Sequence, residues 1–362
     1  MKRAALLTML MLLFLYARAE ETAFTFDGVQ KTLDDAGKEI NLKQVFMSLI
    51  DSESGADIKE AMRRITHLIM REAGKVSAVL SKTAAVIFSG ALIKKAVPDG
   101  KGGKTAVFII NFCVFYTLFV LTKDLYFTAL DSMKIIGTLA DTMTPVLTAL
   151  LALTGGTRSA ALLTPMGAFA SGLMSDVLIK GGASSVTVLL ALSMSEAFGG
   201  LKLTRLRGFI SSVFRWLTGA CLGVFLAFMT TGGLIAGAYD GTFVKGAKYL
   251  TGSLIPIVGS EIAGRMDSLV SGAQLVRNAA GVTGLIALAS VGLVPILKVL
   301  VCAWGLKLIS AMAECVCEEE TVKLLEGLAG IFMCLIALMA CACAMIVILI
   351  GATIGMGNRF AG

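Results

Sequence analysis

Hydrophobic residues form long runs along most of the chain, separated by short polar stretches. About 20 apolar residues let a helix cross a bilayer, and the run at 105–122 is the clearest example. The run at 76–93 is just long enough but contains Lys82. The predicted spans are 76–93, 105–122, 159–179, 217–238, 280–301 and 328–350, and the short run at 183–198 is predicted to be re-entrant. The pattern predicts an all-α polytopic membrane protein with five to seven transmembrane helices.

Three other stretches have the three- and four-residue apolar spacing of amphipathic helices. Two of them, 125–139 and 304–325, lie between predicted spans. The third covers 57–72, where Asp57 is a predicted N-cap with Glu60 three positions later. We expect this third helix to lie on a membrane surface or to dock on a partner.

The N-terminus resembles a secretory signal over residues 1–19. Lys2 and Arg3 precede an apolar run at 4–16, and Ala17-Arg18-Ala19 supplies small residues around a cleavage site. The alternative is an uncleaved membrane anchor. Residues 20–75 follow with 11 acidic and 8 basic residues and no cysteine, so we expect a soluble extracytoplasmic segment before a transmembrane domain at 76–362.

Composition supports a membrane protein over a soluble enzyme. Apolar residues make up 56% of the chain and charged residues 16%, whereas soluble domains average about 25% charged residues. The net charge of +7 does not indicate nucleic-acid binding, because the basic residues form no stripe with interleaved aromatic residues. They cluster instead at 94–104 and 202–215, and the positive-inside rule predicts that both loops face the cytoplasm.

An internal two-fold repeat is one interpretation of the span-rich region. Residues 144–147 align with 255–258, and 214–228 with 328–342, which gives halves at 125–241 and 242–357. Chance similarity between apolar sequences is the alternative. A true repeat would place a transport pathway at matching interrupted helices.

Charged residues inside apolar regions are the best pointers to function, because a charge at bilayer depth costs several kcal/mol unless it is paired or hydrated. Glu261 and Arg265 have the favourable spacing for an ion pair on one helix face. Two interpretations stay open: helix ends in the membrane interface, or a polar pathway or assembly contact. The candidates are Asp141, Arg158, Asp176, Glu196, Glu261, Arg265, Asp267 and Arg277.

Motifs for catalysis, cofactors or metals are not found in the sequence. It has no Walker-type phosphate loop, Gly-x-Ser-x-Gly elbow or His-Glu-x-x-His zinc motif. The Cys-x-Cys pairs at 315–317 and 341–343 would point their thiols apart on a helix. We therefore expect no enzyme activity, no cofactor and no metal.

Several blocks of this sequence resemble the stage III sporulation protein AE family. They are Tyr249-Leu-Thr-Gly-Ser-Leu-Ile-Pro-Ile-Val-Gly259, the block at 266–281, and the ending Ile350-Gly-Ala-Thr-Ile-Gly-Met-Gly-Asn358. The resemblance extends upstream through 150–156 and covers most of the chain.

The resemblance implies a multi-pass protein of the mother-cell membrane around the forespore. It implies a non-enzymatic part of a channel or secretion-like apparatus used in endospore formation. Its implied partners, besides the lipid bilayer, are other stage III sporulation A proteins, including a secretion-type ATPase and ring-forming members, and stage II sporulation protein Q. The alternative function is a self-contained secondary transporter that uses polar residues in interrupted helices.

Overall fold

The computed structural model describes residues 55–96, 101–154, 156–199, 203–254 and 259–358. The predicted signal at 1–19 and most of the segment at 20–75 lie outside the described residues. Within these ranges 97% of the residues are helical and none is in a β-strand. The predicted all-α class is confirmed.

Ten helical segments form the described part of the chain, two of them π-helical. The π segment Leu173–Gly181 joins α3 to α4 and the π segment Ala289–Leu293 joins α6 to α7, with right-handed helical backbone at both junctions. The α-helices are α1 (Gly55–Ala96), α2 (Lys101–Leu153), α3 (Thr157–Gly172), α4 (Gly182–Gly199), α5 (Thr204–Leu254), α6 (Gly259–Leu288), α7 (Val294–Ala313) and α8 (Glu319–Asn358).

The described helices combine into six long rods, because each π segment continues the helices on either side of it. Each rod begins within six residues of the end of the one before it. Such short connections make consecutive helices antiparallel neighbours. Consequently α1, α4 and α7 end at the same end of the bundle where α2, α5 and α8 begin. We call this the basic end, since Lys94 and Arg207 lie there.

The core lies along α8, which packs on α2, α4, α5, α6 and α7. Phe332, Met339 and Met345 of α8 are completely buried. Glycines let neighbouring helices approach it closely: a Cβ at Gly182 would lie 2.8 Å from the Leu338 side chain, and one at Gly292 would overlap with Cys343. The π segment at 289–293 thus packs directly on α8.

Six of the described helical stretches are long and apolar enough to cross a membrane, within the predicted range of five to seven. Each one overlaps a span predicted from the sequence. They are Ile65–Ala96, Ile109–Leu153, Thr157–Ser193, Thr204–Thr230, Ser271–Ala313 and Glu319–Gly355.

The stretches between the predicted spans differ from expectation in the described structure. The predicted surface helix at 57–72 and the first span are one unbroken helix, α1. The run at 183–198 continues the rod begun by α3 and is not a separate re-entrant element. The amphipathic stretch at 125–139 lies inside α2, whereas that at 304–325 is divided by the turn between α7 and α8.

The exposed face of α2 changes character along its length. Nearer the basic end the exposed side chains are apolar, such as Ile109, Phe112 and Phe119. From Lys123 onward the exposed positions are mostly polar or charged, as at Asp141. A helix of 53 residues is about 80 Å long, whereas the hydrocarbon core is about 30 Å thick. The helix α2 is therefore longer than one crossing of the bilayer requires.

Candidate functional site: a buried arginine at a helix break

Arg277 of α6 is the largest fully buried side chain in the described structure. Its Nη1 donates a 2.9 Å hydrogen bond to Oγ1 of Thr154. Its Nε and Nη2 are buried and have no hydrogen-bond partner among the described residues. A buried guanidinium normally makes several such bonds or an ion pair, because desolvation of the charge costs several kcal/mol. Arg277 therefore carries donors that are available to a further partner.

Thr154 lies at the point where the chain leaves α2 and turns into α3. Its backbone N–H donates to the carbonyls of Leu150 and Leu151, each at 3.2 Å, and the N–H of Gly156 donates to Leu151 at 3.1 Å. These bonds close the last turn of α2 in front of the glycine pair. The C-terminal end of a helix carries a partial negative charge. This helix end stabilises the positive charge of Arg277 in part.

Acidic side chains do not compensate Arg277 in the described part of the structure. It forms no ion pair there. Asp267 on the same helix is ten positions earlier, about 15 Å along the axis, which is beyond the reach of both side chains. The oxygen Oδ1 of the neighbouring Asn278 is also buried without a described hydrogen-bond partner. The guanidinium of Arg277, which has no counter-ion, and the side-chain amide of Asn278, which lacks a hydrogen-bond donor, thus lie beside the helix break between α2 and α3 in the described structure.

The chemistry of this site favours binding or positioning over catalysis. Thr154 donates its hydroxyl to the Leu151 carbonyl at 2.8 Å, so it is not arranged as a nucleophile beside a base. Arginine matches carboxylates and phosphates through its planar donors. An acidic group of another chain segment, a partner or a solute would complete the site.

A second polar cluster lies at the basic end and joins α4 to α5. Arg207 Nη1 is 3.2 Å from Glu196 Oε2, and the two side chains are 17% and 10% exposed. Thr204 donates its hydroxyl to the same carboxylate. Arg207 also contacts Ser193 at 3.5 Å and packs against Gly327 of α8. We call these contacts of Glu196, Arg207 and Thr204 the clasp. The clasp connects the end of α4 to the start of α5 and packs both against α8.

The other predicted site residues are dispersed in the structure. Asp141 is exposed on α2, and Arg158 is exposed on α3, four positions after Thr154. Asp176 is also exposed and pairs with Lys180 at 2.6 Å within one π segment. The remaining three candidates belong to α6, and the structure describes their backbone but not their side chains: Glu261, Arg265 and Asp267.

Sequence reasoning did not identify the partners of these charges. Thr154 was not among the candidates, although the Gly-Gly sequence after it indicates a helix end. The basic cluster at 202–215 predicts a cytoplasmic loop but gives no indication that Arg207 pairs with Glu196. A third pair, Lys298 with Asp124 at 3.4 Å, connects α7 to α2 at the point where the exposed face of α2 becomes polar. Such pairs between distant segments leave no local signal in one sequence.

The fold and these buried polar groups define an all-α polytopic membrane protein with six candidate spans in its described part. The family model described as Stage III sporulation protein AE matches residues 40–357, and the chain belongs to that family. It is 29% identical over 174 residues to stage III sporulation protein AE of Bacillus subtilis (strain 168). The alignment covers 47% of this chain and 43% of that relative, so the chain spans less than half the length of the curated relative it matches. No solved structure matches the chain.

Proposed function

We propose that this protein is a non-enzymatic membrane component of the channel or secretion-like apparatus between mother cell and forespore. The observation that carries the proposal is the family match over 40–357, which includes every candidate span. The polytopic helical fold is consistent with a gate or platform in a membrane. Its proposed partners are other stage III sporulation A proteins, including the secretion-type ATPase and ring-forming members, and stage II sporulation protein Q.

The proposed orientation places the basic end in the mother-cell cytoplasm, because basic residues flank spans on the cytoplasmic side. The residues before α1 then lie in the space between the two membranes, since α1 ends at the basic end. This agrees with the export signal predicted at 1–19. It also leaves the far end of the bundle, with Thr154 and Arg277, nearer the intermembrane space, where a forespore partner would approach.

Energy for transport would come from a partner or a gradient, since the sequence has no nucleotide-binding motif. The buried Arg277 and the Glu196–Arg207 clasp then serve as assembly or positioning contacts. In this proposal the chain has a structural role in the apparatus, and a partner or a gradient provides the energy for transport.

Deletion and co-purification test the proposal together. A strain that lacks the chain should engulf the forespore normally but fail in later forespore development. A tagged copy should restore development and retain the stage III sporulation A proteins after mild detergent extraction. A deletion strain that sporulates normally would exclude the proposal, and a functional copy that retains none of these proteins would exclude the assembly role.

A self-contained secondary transporter is the second candidate function. The observation in its favour is the buried Arg277 beside a helix break, because its unpaired donors Nε and Nη2 match the acceptors of an anionic group. Proteoliposomes with the purified chain alone should then take up an anionic solute, and Arg277→Met should stop the uptake. Solute movement that requires no other protein would favour this function over the first.

A further inference from the structure

A cavity of about 290 Å³ lies at the basic end of the bundle, between the end of α1, the first turns of α2 and the turn before α8. Buried residues such as Ile87 and Val114 form an apolar wall, and the polar residues Asn111 and Thr321 also line the cavity. Lysines, a glutamate and a thiol form its rim: Lys94, Lys95, Cys317 and Glu318. The cavity thus has an apolar side and a charged side.

The position of the cavity along the bundle matches a membrane surface. The candidate spans Ile65–Ala96 and Ser271–Ala313 end at this level, and Ile109–Leu153 and Glu319–Gly355 begin there. Lys94 and Lys95 belong to the last turn of α1. Four of the candidate spans therefore have an end at the level of the cavity, where we expect the lipid headgroups to lie.

The charges around the cavity favour an anion. Lys94 Nζ is 2.8 Å from Glu318 Oε2, and the Lys94 side chain is 13% exposed whereas that of Glu318 is 53% exposed. Lys95 adds a second positive charge, so the three groups sum to +1. One phosphodiester would neutralise this charge, whereas a zwitterionic headgroup would leave it unbalanced. Glu318 can accept hydrogen bonds from hydroxyl groups attached to the phosphodiester.

We propose that this cavity binds the headgroup of an anionic glycerophospholipid of the phosphatidylglycerol type. Lys94 and Lys95 contact the phosphate, Glu318 accepts from the glycerol hydroxyls, and the lipid chains lie along the apolar wall. Basic pockets between transmembrane helices at the cytoplasmic surface bind such lipids in membrane proteins. The lipid site rests on the membrane orientation proposed above but not on the proposed role in the apparatus, and its test uses the purified full chain.

Lipid retention measures the site directly. The full chain, purified in mild detergent, is titrated with phosphatidylglycerol or phosphatidylcholine, and bound lipid is counted by native mass spectrometry. We expect Lys94→Gln with Lys95→Gln to weaken phosphatidylglycerol binding about tenfold or more, since each lysine near an anionic surface contributes appreciably. The matched control, Lys134→Gln with Lys180→Gln, removes two exposed lysines elsewhere and should bind as the parent does. Equal loss in both double variants would overturn the proposal.

Two further measurements separate the lipid from other occupants and from misfolding. Glu318→Gln keeps both lysines and should bind phosphatidylglycerol at least as tightly as the parent; a loss equal to that of the lysine variant would contradict the assignment. Inorganic phosphate should not displace the lipid; displacement at millimolar phosphate would indicate a free-anion site instead.

Cys317 gives an independent readout at the rim of the cavity. Burial raises the pKa of its thiol, against the opposing effect of Lys94. Because alkylation needs the thiolate, Cys317 should react slowly at neutral pH and faster near pH 9. At pH 9 its alkylation, located by tandem mass spectrometry, should fall in phosphatidylglycerol vesicles relative to phosphatidylcholine vesicles. Equal alkylation in both would overturn occupation of the cavity by the anionic lipid.

Discussion

Arg277 and Thr154 are 123 residues apart in the chain and meet through a 2.9 Å hydrogen bond inside the bundle. The bond attaches α6 to the end of α2, directly before the turn into α3. Among the described residues, it is the only hydrogen bond that the fully buried guanidinium of Arg277 makes. The hydrogen bond therefore has two roles. It fixes the end of α2 against α6, and it partly compensates the buried charge of Arg277.

Replacing Thr154 with valine should destabilise the bundle by about 1 to 2 kcal/mol. The change keeps the side-chain shape but removes the acceptor of a charge-assisted bond, and that is the usual size of such a loss. Thr148→Val is the matched control, because the buried Thr148 donates to carbonyls of its own helix. Its cost should stay near 0.5 kcal/mol. Unfolding in a detergent titration gives both values, and equal costs would show that the Arg277 contact adds nothing.

Arg277→Met should raise the unfolding midpoint while it lowers sporulation. Methionine loses a hydrogen bond worth about 1 to 2 kcal/mol but removes a desolvation cost of several kcal/mol. We expect the buried charge to serve the function of the protein, because two of its donors are available to a further partner. Arg277→Lys keeps the charge and should retain more sporulation than Arg277→Met. Normal spore counts with Arg277→Met would remove this residue from the functional site.

The candidate spans could be predicted from the sequence because each contains a contiguous apolar run. The lengths of the helices could not be predicted, because a helix can continue beyond its apolar run. Between 122 and 125 the chain becomes polar at Lys123 and Asp124, yet neither residue breaks a helix, so α2 continues. The opposite is found in the stretch 304–325, where the chain turns at 314–318 although that turn contains neither proline nor glycine. Acidic residues in the first turn of α8, Glu319 and Glu320, were the available signal, since they favour a helix N-terminus.

The candidate site was predictable only as a set of charges. Arg277 is one of eight charged residues predicted from their place in the span-rich region, and the structure buries it completely. Its contact with Thr154 could not be predicted, because it depends on how α6 packs against the end of α2. Asp176 had the same sequence signal but lies on an exposed face beside Lys180. Burial, which distinguishes these two residues, is a property of packing.

Glu196→Gln should cost about 2 kcal/mol of stability because it leaves Arg207 half-compensated in a largely buried clasp. Asp176→Asn is the control: its pair with Lys180 is exposed on both sides, and such pairs contribute less than about 1 kcal/mol. A double-mutant cycle with Arg207→Gln measures the coupling in the clasp. A coupling energy near zero would mean that the clasp does not hold α4 to α5.

Cysteine labelling should place two turns of the basic end, the turn after α1 and the turn before α5, on one side of the membrane. In a chain with the exposed Cys113 and Cys315 changed to serine, Lys95→Cys and Arg205→Cys should react with an impermeant maleimide in inverted vesicles. Thr157→Cys, at the opposite end of the bundle, should react in intact spheroplasts. Reaction of Lys95→Cys and Arg205→Cys from different sides would contradict the antiparallel order of the rods.

Gly292→Ala should destabilise the bundle by about 1 to 3 kcal/mol, since the new methyl group overlaps with Cys343 and overpacking of a core has that cost. Combining it with Cys343→Ala removes the overlapping sulfur and should recover most of the loss. Gly137→Ala is the control on α2, where a Cβ meets no atom within 4 Å. There alanine should be neutral or stabilise the helix by up to about 1 kcal/mol. If Gly292→Ala costs no more stability than Gly137→Ala, the π segment does not pack tightly on α8. If Cys343→Ala fails to restore the stability lost in Gly292→Ala, the strain lies within the π segment and not at its contact with α8.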